Sequence, residues 1–313
     1  MLMLLHRKCV KPAALNCKSA LAIFRAIPTG PGQLPSLLRV EDERRNLLSA
    51  FVQNQIELND ALQLTLGLRY DDIQDVGERL TPRASLVWRP AERHVLKAQY
   101  AQGYRAPTFF ELYGGGDSNG GLDFEVNTTT EFSYIYRQPG RTLRATLFRA
   151  RLDDMVFVLQ GRPGFGNVVN ARADGVELEW DQRLRDGLDL KVALSHTDAQ
   201  DSRNRTRQLA TIASTPKWLG HAGLVWKTSD RHSYGLTWNH VGERRSATIG
   251  NGRYDRIDRS SRLAGLWHPN LDLRLGVDNV LNERTVQIVT APNGATTLPY
   301  QDRIYWVELR WRM

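Results

Sequence analysis

From residue 45 onward, apolar and polar side chains change places residue by residue in stretches of about ten. In Leu62–Asp71, Leu62, Leu64, Leu66, Leu68 and Tyr70 alternate with Gln63, Thr65, Gly67 and Arg69. The last stretch has the same form: Tyr305, Val307, Leu309, Trp311 and Met313 share one parity, and Trp306, Glu308, Arg310 and Arg312 the other. A strand sends successive side chains to opposite faces, so a period of two predicts strands apolar on one side and polar on the other.

The predicted strands come in pairs around very short turns. Asn46–Leu58 and Leu62–Asp71 flank Asn59-Asp60, and Pro82–Arg89 and His94–Gly103 flank Pro90-Ala91-Glu92. Asn127–Gln138 and Arg144–Leu159 turn at Pro139-Gly140, Asn167–Leu184 and Leu188–Thr197 at Asp186-Gly187. Lys217–Lys227 and His232–Val241 turn at Ser229-Asp230, Arg259–His268 and Leu271–Leu281 at Pro269-Asn270, and Arg303–Met313 stands last of thirteen. Between the pairs run long polar connections: 72–81, 104–126, 160–166, 198–216, 242–258 and 282–302. Tight turns on one side and large loops on the other are the layout of an up-and-down transmembrane β-barrel. A Greek-key sandwich does not sort its loops this way. Trp88, Trp180, Trp226, Trp267 and Trp311 gather near the short-turn ends, as an interfacial girdle requires; buried tryptophans of a soluble β protein are the competing explanation.

Composition narrows this picture without deciding it. Of 313 residues 41% are hydrophobic, and no apolar run is long enough for a transmembrane helix. A barrel escapes that test, because its apolar positions are spread over alternate residues. The net charge of +8 permits nucleic-acid binding, but the basic residues form neither stripe nor tail, so no nucleic-acid partner is expected. Cys9 and Cys17 are the only cysteines and supply no zinc spacing or disulfide framework. Residues 1–44 break the pattern: they hold no clean signal peptide, and Pro28–Pro35 is turn-rich. They are expected to be a poorly ordered lead-in outside the barrel, which occupies 45–313.

Two motifs carry a family likeness. Tyr100-Ala-Gln-Gly-Tyr-Arg-Ala-Pro-Thr-Phe-Phe-Glu-Leu-Tyr113 resembles the stretch of TonB-dependent outer-membrane receptors in which a strand ends in an FRAP-like turn before a large extracellular loop. Leu275-Gly-Val-Asp-Asn-Val-Leu-Asn-Glu-Arg284, followed by a loop and a terminal strand, is similar to their C-terminal signature. Leu66–Asp71 and Asn170–Leu178 add supporting matches. The chain departs from the family in reading Gly121-Leu-Asp-Phe-Glu-Val126 where an Asn-Pro-x-Leu stretch is usual, and in ending on Met313.

The resemblance implies a barrel of about twenty-two strands enclosing an N-terminal plug, of which this chain supplies about thirteen later strands and no plug. It implies a receptor and transporter of the Gram-negative outer membrane, siderophore type, energised through the TonB-ExbB-ExbD complex. Lacking plug and TonB box, the chain is expected to be a truncated or misassigned fragment that cannot transport alone. A passive porin, a soluble all-β binding module and an outer-membrane hydrolase are the rivals.

No catalytic constellation, cofactor motif or metal spacing emerges: the seven histidines are isolated. His196, His232 and His240 are expected in the wall. Asp117, Asn119 and Asp123 are oxygen donors of a kind that holds Ca²⁺, but a hydrated flexible loop is the expectation there. The candidate substrate-binding residues are Tyr104, Arg105, Phe110 and Tyr113, with Phe109 and the loop arginines Arg203, Arg205 and Arg207 beside them. Aromatic faces and guanidinium groups suit an anionic, aromatic metal chelate such as a ferric siderophore. Arg105 and Pro107 also have a purely structural explanation, in shaping the turn. The loop from Arg105 to Val126 holds no His, which counts against haem.

Overall fold

The computed structural model describes residues 45–113, 121–159, 164–202, 210–212, 215–244, 252–284, 286–291, 294–299 and 302–311, and the backbone of 17–25; of 210–211, 286–291 and 294–299 too only the backbone is described. The strands are β1 (Cys17–Arg25), β2 (Leu47–Asn59), β3 (Leu62–Ile73), β4 (Gly77–Ala91), β5 (His94–Arg105), β6 (Glu125–Gln138), β7 (Arg141–Val158), β8 (Phe165–Arg185) and β9 (Leu188–Asp201). They continue as β10 (Ala210–Thr211), β11 (Trp218–Lys227), β12 (His232–Val241), β13 (Tyr254–Leu263), β14 (Leu271–Asp278), β15 (Val286–Ala291), β16 (Gly294–Pro299) and β17 (Ile304–Trp311). One short helix, α1 (Phe109–Tyr113), follows β5. Pairing runs in chain order from β1 to β9, then β11 to β14 and β17, with β10 beside β9 and β15–β16 a separate hairpin. All thirteen predicted strands are present.

The chain divides into two compact units. One holds Met1–Ser133, Phe148–Ala173 and Gln200–Ala210, the other Tyr134–Leu147, Asp174–Ala199 and Thr211–Met313. In the first, antiparallel register sets Asn54, Leu66, Ala84 and Tyr100 side by side on β2 to β5, and Ile56, Leu64, Leu86 and Ala98 in the next row. The opposite face carries Gln53, Gly67, Arg83 and Ala101. In the second, Tyr234, Ser261, Leu275 and Val307 share a row across β12, β13, β14 and β17, while Ser233, Arg262, Arg274 and Glu308 share one on the other face.

The apolar rows are not covered. Leu66 is 44% exposed, Leu147 58%, Leu236 47% and Leu309 61%, whereas the inner face of a sandwich would bury them. The five tryptophans of the proposed girdle are exposed as well, which removes their explanation as core residues. Most of the described buried apolar side chains sit instead near the loop-side ends of the first unit, as Ile73, Phe124 and Val126 in one cluster and Leu112, Leu122 and Val156 in another, while Ile135 is buried in the second.

Several expectations change. The connection expected at 72–81 shrinks to three residues, 74–76, closed by Val76 N–H donating to the Ile73 carbonyl at 2.9 Å and by Gly77 at φ +121°. Polar residues stay in the ladder there because Asp71 lies opposite Arg79 and is fully buried, accepting from Ser49 Oγ and, at 2.7 Å, from Arg69 Nε. β7 and β8 run 18 and 21 residues, longer than the stretches of about ten that the pattern shows elsewhere and than the predicted Arg144–Leu159 and Asn167–Leu184. β13 begins at Tyr254 and ends at Leu263 rather than running from Arg259 to His268. The residues after it turn because buried Asp272 accepts from Gly265 N at 3.2 Å and from Arg262 Nη2 at 2.6 Å, with Gly265 and Trp267 at positive φ. Within the 1–44 segment, Cys17–Arg25 lies antiparallel to β2; its other residues lie outside the described ones.

Candidate functional site

The corner from β5 through α1 to β6 is built around one arginine. Arg105 closes β5, and its guanidinium faces two carboxylates. Nε and Nη2 donate to Glu125 at 2.6 and 2.5 Å, and Nη1 and Nη2 donate to Glu111 at 2.9 and 3.0 Å. Such bidentate pairs fix orientation as well as charge. Glu125 accepts in addition from the Val156 backbone N–H at 2.7 Å, tying β6 to β7.

The helix starts on Thr108. Its hydroxyl accepts from Glu111 N–H at 3.2 Å while its own N–H donates to Glu111 Oε2 at 2.7 Å. This reciprocal Thr-x-x-Glu cap satisfies donors that a helix end otherwise leaves bare. The same Glu111 therefore starts the helix and clamps Arg105. Pro107 is buried, and its carbonyl accepts from Arg45 Nη2 at 2.8 Å. Arg45 also pairs with Asp75 at 2.7 Å and lies 4.8 Å over the Phe109 ring. Behind the corner, Asn167 accepts from Asp123 N–H at 2.8 Å and donates to the carbonyls of Asp123 and Asp154 at 2.9 and 2.6 Å. Asp123 is thus held in loop structure, and its Oδ1 accepts from Phe124 N–H.

Tyr104, Arg105, Glu111 and Glu125 lie at or past the loop-side ends of β5 and β6. The Glu125 carboxyl is held below its usual range first by the Arg105 hydrogen bonds, with burial opposing and the Val156 N–H assisting. Burial works to raise Glu111, but Arg105 and Thr108 outweigh it and its pKa is lowered. The Arg105 pKa is raised by Glu125 and then by Glu111. Tyr104 is pushed up to about 12, first by burial and then by its hydrogen bond to Asp71.

The four candidate binding residues separate in kind. Tyr104 turns inward, its ring edge-on to Phe124 at 4.9 Å. Arg105 is occupied by its two carboxylates. Phe110 and Tyr113, each 37% exposed, lie one helical turn apart on α1 and face outward. Phe109 stacks on Tyr113 at 6.3 Å, and Phe110 meets Phe165 edge-on at 5.6 Å. Arg203, Arg205, Arg207, Asp117 and Asn119 lie outside the described residues. Glu111 was within reach of the sequence, since Thr108-Phe-Phe-Glu111 is a capping-box signature. Glu125 and Asn167 carried no such signal, because their partners are distant in sequence.

The second unit has a recess of about 560 Å³ on the polar face of its strands, lined in part by Glu177, Glu179, His221, Asn239, Arg256 and Asp258. Much of its charge is already matched. Arg144 meets Glu179 at 3.0 Å, Arg256 meets Asp258 at 2.7 Å, and His221 Nδ1 lies 2.8 Å from Asn239 Oδ1. Each strand supplies only one or two of these residues, so no linear motif announces the recess. Among the described residues no group of three or more His, Cys, Asp or Glu is placed to hold a metal ion.

Comparison with known proteins gives a consistent result. The family described as TonB dependent receptor-like, beta-barrel matches residues 21–280, beginning inside the segment that the sequence pattern set apart. The ferric enterobactin receptor PirA of Pseudomonas aeruginosa is 25% identical over 89% of this chain and 43% of its own length. A second ferric enterobactin receptor of that organism is 26% identical over 87% of the chain and 43% of its own. A solved structure of the Pseudomonas aeruginosa ferric enterobactin receptor in complex with enterobactin superposes with a TM-score of 0.73 at 20% identity, covering 95% of this chain and 54% of that one. The chain thus spans about half the length of the relatives it matches.

Proposed function

The chain belongs to the TonB dependent receptor-like β-barrel family, and on that premise we propose that it forms wall and outer loops of an outer-membrane receptor for a ferric siderophore. The observation that carries this reading is the set of exposed apolar rows, in register from strand to strand, on a fold whose relatives are named as ferric enterobactin receptors. In the complete receptor, uptake is coupled to the TonB-ExbB-ExbD complex.

At the candidate site, Phe110 and Tyr113 present the stacking surface for an aromatic chelate. Tyr104 and Arg105 position them, the first by packing under the corner and the second by clamping α1 to β6. This division assigns the aromatic residues to affinity and the ion-paired residues to shape.

Titration of the refolded chain with ferric enterobactin, read by quenching of tryptophan fluorescence, tests the assignment. Phe110→Ala with Tyr113→Ala is expected to weaken binding about tenfold, equivalent to about 1.4 kcal/mol, with the folded fraction unchanged. Unaltered affinity in that double variant would remove the site, and absence of saturable binding in the folded parent chain would remove the siderophore reading.

A further inference from the structure

An arginine lies on the apolar face of β13. On β13, register places Asp255, Ile257, Arg259, Ser261 and Leu263 in the apolar rows. Arg259 is opposite Leu236 on β12 and Val277 on β14, and Val277 in turn is opposite Tyr305 on β17. Neighbouring arginines are all matched: Arg253 lies 3.8 Å from Asp255, Arg256 2.7 Å from Asp258 and Arg262 2.6 Å from Asp272. Arg259 is exposed and has no carboxylate partner among the described residues. A guanidinium in a lipid-facing row is costly at mid-membrane and tolerated near an interface.

Its depth identifies what it meets. The next row toward the short turns is Tyr234, Ser261 and Leu275, with Trp226 opposite Tyr234 and the two rings 6.1 Å apart. One row is two residues, about 6.7 Å along a strand, which an arginine side chain spans when it turns back toward the headgroups. There the Ser261 hydroxyl and Tyr234 phenol add donors, and Arg185 already lies 5.9 Å from the Trp226 ring. Planar forked donors match two oxygens of a phosphate.

We propose that Arg259, with Ser261 and Tyr234, forms an outward-facing site for the phosphate of a phospholipid in the leaflet at the short-turn edge. The site rests on the membrane reading above. Charge complementarity selects the occupant, an anionic headgroup set against a guanidinium that has no carboxylate partner among the described residues and stands in a row with Leu236 and Val277.

The test refolds the chain into micelles doped with equal parts phosphatidylglycerol and phosphatidylethanolamine and counts retained lipid by native mass spectrometry. The parent chain is expected to keep phosphatidylglycerol in preference. Arg259→Leu should lower that retention about tenfold, Arg259→Lys should retain an intermediate amount, and Arg83→Leu on the polar face should change nothing. Equal retention by the parent and Arg259→Leu overturns the site, as does a dimer lost in Arg259→Leu, which would make a second copy the occupant. A spin label at Leu236, read in bilayers, separates the two layers of argument. Acyl contact there with unaltered lipid retention sinks only the headgroup site, whereas an aqueous Leu236 sinks the membrane reading and the site with it.

Discussion

Glu125 ties two strands together at the β5–α1–β6 corner: it pairs with Arg105, holds the Val156 N–H and stands among the most buried carboxylates described. Glu125→Gln keeps the shape and removes the charge. It is expected to cost about 1–2 kcal/mol, discounted from a fully buried pair because Arg105 is 42% exposed. Hydrogen exchange of 106–113 is the measurement, and protection unchanged from the parent would count against the clamp. The pH dependence has a definite sign. Glu111 and Glu125 both have lowered folded pKa values, so their contribution is complete above the unfolded carboxylate range, about 4 to 4.5, and is lost as pH falls through the folded values below it. Protection factors for 106–113 should hold from neutral pH to about 5 and drop below about 4, with a smaller drop in Glu125→Gln. At this scale the sequence revealed types and not pairings. The aromatic and cationic character of 104–113 was readable, and so was a structural explanation for Arg105; that its partner would be Glu125, twenty residues on, was not.

Among elements, the β14–β17 hairpin shows why the C-terminal signature has the form it does. Asn279 is buried at φ +55°, a left-handed conformation that Asn tolerates better than most residues. Its Nδ2 donates to the Glu283 carbonyl at 2.9 Å and its Oδ1 accepts from Glu283 N–H at 2.9 Å. Its own N–H donates to Asp258 on β13 at 2.8 Å. Gly276 lies under the Trp306 indole, which would collide with any Cβ placed there, and Trp306 Nε1 donates to Asp278 at 3.1 Å. Asn279→Ala loses both side-chain bonds and the conformational tolerance, so a loss of about 2–3 kcal/mol is expected. Gly276→Val should be worse, displacing Trp306 from the ladder. Refolding yield, followed as the heat-modifiable gel band, ranks them, and a Gly276→Val chain that refolds like the parent would show that this approach is not needed. Strand existence was readable here because period two is local. Strand ends were not: β13 stops at Leu263 because Asp272, across the turn, captures Gly265 N–H and Arg262, and no local pattern encodes that capture.

For the whole chain, the decisive physical fact is parity carried from strand to strand. Within each unit the registers keep apolar rows together: Leu64 with Leu86 on β3 and β4 in one, Leu275 with Val307 on β14 and β17 in the other. A slip of one residue in any ladder would throw that strand's apolar set onto the polar face, so agreement across both units is a global constraint that short stretches already contained. Loop content was less legible, since α1, β10 and the β15–β16 hairpin depend on capping and pairing inside segments without periodicity. The prediction at this scale concerns solvent on the two faces. Spin labels at Leu66, Leu275 and Leu309 in refolded bilayers should be relaxed by oxygen dissolved among acyl chains, and labels at Thr65, Arg274 and Glu308 by a water-soluble nickel chelate. The first set of sites stands in apolar rows and the second in polar ones, so the result must alternate within each strand and agree between neighbours. A soluble sheet packed on a partner would shield the apolar set from both reagents. Labels at Thr65 and Glu308 contacting acyl chains, with Leu66 and Leu309 in water, would invert the assignment of faces and take the membrane reading with it.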